Sequence, residues 1–144
     1  MVAYSYKAKK IVTVLSSSLE TGVALNVLGH LALALGAHVN FNEIMGRQEL
    51  FDASGIEHKG IARYPFIITK AKSSKINQLV RELRQRNDIV MVDYPKQMLE
   101  TGHDDELAKA LSKAPESTIE YLGFIIFGNT EDINKYTGKF SLWR

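Results

Sequence analysis

The chain has 144 residues, 45% of them apolar and 24% charged, with a formal net charge of +2 and no cysteine. That composition supplies one continuous core and fits a single domain spanning residues 1–144. The lack of cysteine excludes disulfides, thiolate nucleophiles and cysteine-ligated zinc or iron–sulfur centres, and gives no reason to place the chain in an oxidising compartment.

Met1 to Lys10 is basic without the layout of a secretory leader, and the apolar run Ile11 to Leu15 is too short for one. Lys9 to Ser16 reads as a strand buried on both faces, because Ile11-Val-Thr-Val-Leu is continuously apolar. Ser16-Ser17-Ser18 then offers helix caps, and a helix is predicted over Leu19 to Leu35 with Gly36 as its stop. This helix is apolar nearly all round, which predicts burial on more than one side. Its longest apolar stretch, Val23 to Ala37, holds Asn26 and His30 and falls short of the roughly 18 residues of a membrane span. A soluble cytoplasmic protein is expected.

Residues 38–64 read mostly as loop, with a short helix within Phe41 to Leu50 and a turn at Asp52-Ala-Ser-Gly55. Pro65 to Lys70 is the second strand. A helix capped by Ser73 or Ser74 follows, with Ile76, Leu79, Val80 and Leu83 on one face, ending near Asn87. Ile89 to Val92 is the third strand, and Asp93-Tyr-Pro-Lys leaves it as a loop. Thr101-Gly-His-Asp-Asp-Glu106 leads into a helix to about Lys113, with its acids first and its lysines last, as the helix dipole favours. Strand four covers Ile119 to Phe127 and a last helix Glu131 to Tyr136. Four strands alternating with helices predict a layered α/β domain.

Several residues could carry chemistry. Asn26 and His30 project together from the first helix, able to hold a carbonyl or phosphate or to bond a neighbouring loop. His103 beside Asp104 and Thr101 is the most enzyme-like cluster, a general base near neutral pH or a simple helix cap. Asp93 stands at the carboxyl end of a strand, where open α/β sheets place function. Asp52 is a turn former and His58 a lone loop histidine. The four histidines lack metal-ligand spacing, so no metal is expected. No glycine-rich phosphate loop or nucleophile elbow is present, and no cofactor is expected. Residues 70–86 carry Lys70, Lys72, Lys75, Arg81, Arg84 and Arg86 against Glu82 alone. Such a stretch could meet phosphate, but the chain as a whole is not basic enough to favour nucleic acid.

The ending, a strand, a helix and then Ile133, Thr137, Gly138 and Leu142 in an I-x-x-x-T-G-x-x-x-L pattern, resembles type-II peptidyl-tRNA hydrolases. That resemblance implies a three-layer α/β/α fold with a mixed four-stranded sheet, one strand antiparallel. At the front, Thr21 to His30 is similar to the family's first helix, yet its catalytic and tRNA-binding lysines are missing. After the third strand Asp93 is kept and Gln97 only with a gap. About 20 residues, roughly Met98 to Ser117, replace the family's short link.

The whole chain looks more like an uncharacterised branch of that superfamily, the domain-of-unknown-function family numbered 2000. The matching stretches are Ala24 to Val27, Gly46-Arg47 with Asp52 and Gly55, His58, Thr101 to Asp104, and Gly123 with Gly128. The missing lysines speak against peptidyl-tRNA hydrolase activity, and the expected protein is a non-catalytic module that binds a small ligand or pairs with itself. A homodimer would use the glycine-bearing helix stripe and the aromatic end at Phe140 and Trp143. The binding set is Asn26, His30, Asp52, His58, Thr101 and Asp104. The alternative is a hydrolase acting on an ester or amide of a small or tRNA-linked substrate, with His103 and Asp93 catalytic.

Overall fold

The computed structural model describes residues 5–144; the start of the amino-terminal stretch read for a leader lies outside the described residues. The order is β1 (Lys9–Ser16), α1 (Thr21–His38), α2 (Phe41–Ile44), β2 (Leu50–Phe51), β3 (Glu57–His58), β4 (Phe66–Ala71) and α3 (Ser73–Leu83). It continues with β5 (Val90–Pro95), α4 (Gln97–Glu100), α5 (Asp104–Ser112), a 3-10 turn at Glu116–Thr118, β6 (Tyr121–Asn129), α6 (Thr130–Thr137) and β7 (Ser141–Leu142).

The main sheet has five strands in the order β5-β6-β1-β4-β7, one more than the four expected. β1 runs parallel to β4 and antiparallel to β6. β5 is antiparallel to β6, and β7 is antiparallel to β4. Strands β1, β4 and β5 therefore point the same way. The extra strand is only Ser141–Leu142, paired with Lys70 and Thr69. Two residues are too few to show a period of two.

Alternation along the central strands makes two cores. Ile11, Leu15, Ile125 and Phe127 turn to one face and pack with Ala24, Val27, Leu31 and Leu35 of α1. Val12, Val14, Phe124 and Ile126 turn to the other and pack with Ile76, Leu79, Val80 and Leu83 of α3 and with Ile133 of α6. Helices thus cover both faces of the sheet. The strand expected at Ile119 to Phe127 is β6, and it pairs with β1 from Lys9↔Asn129 to Leu15↔Gly123. Gly123 allows this closeness, since a Cβ there would lie 2.8 Å from the Val14 carbonyl oxygen.

Other expectations are corrected. Gly36 does not stop α1, which runs to His38. Nor is α1 buried on several sides: Leu25 and Leu33 are 59% and 76% exposed. It is long and apolar enough to cross a membrane, but lays one face on the sheet. Asp93-Tyr94-Pro95 is strand rather than loop. Proline fits because β5 is a sheet edge, where its missing N–H costs no ladder bond. The region read as loop at 38–64 contains α2 and the β2–β3 hairpin, whose turn has Gly55 at φ +80°. Neither Thr101 nor Asp104 caps α5; the cap position is His103, without a side-chain cap bond.

Candidate functional site

A cleft of about 490 Å³ opens where the carboxyl end of β5 meets α1 and the amino end of α5. Its apolar wall is Leu31, Ala34, Val92, Met98 and Leu107, and its polar groups come from His30, Tyr94, Thr101, His103 and Asp104. Five of the residues singled out in the sequence therefore line one cleft: His30, Asp93, Thr101, His103 and Asp104. They reach it from α1, β5 and the segment 101–104, which lie far apart in the sequence, so spacing alone could not unite them.

The local chemistry differs from residue to residue. The exposed His30 ring lies 6.3 Å from that of Tyr94, tilted by 49°. Tyr94 is 4% exposed, and its hydroxyl makes no hydrogen bond to any described residue. Burial pushes that phenol up from its ordinary value. Thr101 Oγ1 donates to the Gln97 carbonyl at 2.9 Å, tying α4 to the cleft rim. His103 Nε2 stands 3.3 Å from Glu106 Oε1, both exposed. Glu106 also accepts from the Gly102 backbone N–H at 3.1 Å, so it, rather than Thr101, organises the start of α5.

Asp93 borders the cleft from a strand position whose side chain turns to the opposite face. There its Oδ2 accepts from Arg84 Nη2 at 3.0 Å. Arg84 Nη2 also donates to Tyr121 Oη at 3.1 Å, and Tyr121 donates to Glu116 Oε2 at 2.6 Å. Arg81 Nε closes the chain by donating to Glu116 Oε1 at 2.8 Å. The hydrogen bond from Tyr121, then that from Arg81, holds the Glu116 carboxyl below its usual range. Period-two alternation separates the Asp93 carboxylate from His103, so the two do not form a dyad.

Asn26 is exposed on the outer side of α1 and does not line the cleft. Asp52 and His58 form a second, separate pair on the hairpin. Asp52 Oδ2 meets His58 Nε2 at 2.9 Å, while Oδ1 accepts the Ser54 and Ile56 backbone N–H groups. The His58 bond, then that of Ile56, lowers the Asp52 carboxyl. The pair fastens the turn between β2 and β3. Sequence reading missed Tyr94, although its place two residues after Val92 puts both on the α1 face of β5. Among the described residues no three His, Asp or Glu side chains gather as metal ligands.

A family model described as a protein of unknown function (DUF2000) matches residues 9–144. A solved structure of a protein of unknown function from Agrobacterium tumefaciens strain C58 is similar in fold, with a TM-score of 0.81 and 22% identity over 95% of this chain and 98% of that one. No functionally curated protein matches the sequence.

Proposed function

The chain belongs to the DUF2000 family of proteins of unknown function, and on that premise we propose that it binds a small, partly apolar ligand in the cleft between α1, β5 and α5, without peptidyl-tRNA hydrolase activity. The scaffold in this reading is a peptidyl-tRNA hydrolase II-like domain of the cytoplasm. In support, Ile133 and Thr137 of the I-x-x-x-T-G-x-x-x-L ending are buried under the sheet and Leu142 pairs with β4. One antiparallel strand among the four long ones also fits.

The observation that carries the ligand reading is Tyr94. The Tyr94 ring is nearly buried at the wall of a cleft of about 490 Å³, while its hydroxyl bonds no described residue and is not itself enclosed, so it can donate to water or to a ligand seated there. His30, Thr101 and His103 supply further polar groups around an apolar floor, the usual composition of a small-molecule site.

The hydrolase alternative has less support. The cleft is lined by neither serine nor lysine, the Thr101 hydroxyl is committed to Gln97, and the Asp93 carboxylate is committed to Arg84. Binding to nucleic acid is likewise not favoured, because Arg81, Arg84 and Arg86 of the basic stretch are each paired with a carboxylate.

Amide chemical-shift mapping against a library of small carboxylic acids and amides tests the reading. Shifts are expected at Ala34, Tyr94 and Thr101 to Leu107, with affinity weakened about tenfold by Tyr94→Phe, the loss of one good hydrogen bond. A library in which no member moves the cleft resonances defeats it. Turnover of peptidyl-tRNA that disappears in His103→Ala would establish the hydrolase instead.

A further inference from the structure

A second cleft, also of about 490 Å³, lies on the face of the sheet turned away from α1. Its floor is Val12, Ile67 and Thr69 of β1 and β4, and α6 with the loop to β7 walls it through Asn134 and Phe140. Strand alternation turns Lys10 to this face, in line with Val12 and Val14, which are buried in the core formed with α3 and α6. Lys10 is therefore a cation at a core-facing position. It is half-buried, at the edge where that core opens into the cleft.

No described residue neutralises that cation. The Lys10 ammonium makes no hydrogen bond and no ion pair among the described residues. Lys9, one residue before, turns to the other face, lies over the Phe127 ring and reaches Glu43 Oε1 at 2.8 Å. Asp132 of α6 is engaged by Arg86 at 3.5 Å and by Lys135 at 3.7 Å. No aspartate or glutamate lines the cleft, whereas Lys139 lines it from the loop. Burial pushes the Lys10 ammonium below its ordinary value, as befits a charge short of both water and a partner. The Thr69 and Thr137 hydroxyls already donate to the Thr13 and Ile133 carbonyls. The donors left over are two ammonium groups and the Asn134 amide, whose side chain bonds no described residue.

The geometry points to this cleft as a binding site for a small monocarboxylate with a flat apolar tail. The carboxylate sits against Lys10, with Lys139 and Asn134 as further donors, and the tail lies between the Val12–Ile67 floor and the Phe140 ring. Two features select this class. Ammonium and amide donors with no opposing acid fit an anion, and an apolar floor beside them favours hydrophobic area next to the charge. A phosphate ester fits less well. Only Lys10 is held against the floor, while Lys139 is exposed, so one fixed charge matches one negative charge. The site lies apart from the cleft at Tyr94 and stands without the reading given to that cleft.

Phenylacetate is the probe, titrated into the full chain at fixed ionic strength and followed by amide chemical shifts. Acetate lacks the tail, phenylethanol lacks the charge, and methyl phosphate carries the other kind of anion. Phenylacetate is expected to move Thr69, Asn134, Gly138 and Phe140, and to bind at least about tenfold more tightly than each of the three. Lys10→Met keeps the stem and removes the charge. It is expected to weaken phenylacetate at least about tenfold while raising the melting temperature of the ligand-free protein, because a partly desolvated, unpaired cation is gone. Misfolding cannot produce that combination. Unchanged affinity in Lys10→Met would overturn the site. So would equal binding of acetate and phenylacetate, which marks a general attraction of anions to lysine, or a preference for methyl phosphate. Shifts confined to Tyr94 and Thr101 to Leu107 would overturn it while supporting the first cleft, and shifts confined to Thr69, Asn134, Gly138 and Phe140 would uphold it however the first cleft fares.

Discussion

Two buried residues show how a single polar atom can act in opposite directions. The Thr13 hydroxyl is fully buried under α1 and has no partner, although the Thr13 carbonyl accepts from Thr69 Oγ1 at 3.0 Å. Thr13→Val keeps the shape and removes the unsatisfied group, so it should stabilise the protein by about 1 kcal/mol in urea denaturation. Tyr121 is the reverse case, with its hydroxyl bonded to both Arg84 and Glu116. Tyr121→Phe should cost about 1–3 kcal/mol by leaving those groups short of a partner. Burial first, and then the bond to Glu116, pushes the Tyr121 phenol up to about 12. Because the folded state holds the proton more tightly than the unfolded one, the stability it contributes is complete below the ordinary phenol value of 10.0 and is lost as pH rises from there through about 12. A flatter alkaline limb in Tyr121→Phe would agree; an unchanged limb would not.

Among elements, β6 sets the tightest tolerance. Gly123→Ala would put a methyl group 2.8 Å from the Val14 carbonyl oxygen and 3.1 Å from Leu15 Cδ2, with Val27 of α1 behind. Backbone cannot retreat there without parting β6 from β1, so a loss of about 1–3 kcal/mol is expected, visible as a lower melting temperature. Elements with a clear period were legible in the sequence: β1 agrees at both ends, and the apolar face of α3 at Ile76, Leu79, Val80 and Leu83 is buried as the spacing required. Elements of two to four residues (α2, β2, β3, α4, β7) had no period to read. The outer side of α1 misled for a different reason. Hydropathy records preference for leaving water, and it does not say which neighbour provides the cover. For the cleft, residue type drew notice to His30 and His103, but their meeting depends on which face of β5 looks toward α1. The same dependence removed Asp93 from their company.

At the scale of the molecule, the sequence pattern supported a layered α/β chain and the family resemblance implied helices on both faces, but strand order comes from pairing between segments far apart and left no local trace. The order β5-β6-β1-β4-β7 puts the two most buried strands at the centre, one from each end of the described chain. A chain stopped after Glu120 lacks β6 and α6, so it should show no cooperative unfolding and should bind a hydrophobic dye; a sharp melting transition in that fragment would refute the central role given to β6. Long-range pairing of this sort also slows folding, because a large loop must close before the contact repays it. The antiparallel register from Lys9↔Asn129 to Leu15↔Gly123 has a further consequence during synthesis. Strand β1 keeps the edge that will face β6 bare until residues 121–129 have been made, so an open strand edge outlasts the making of β4 and β5.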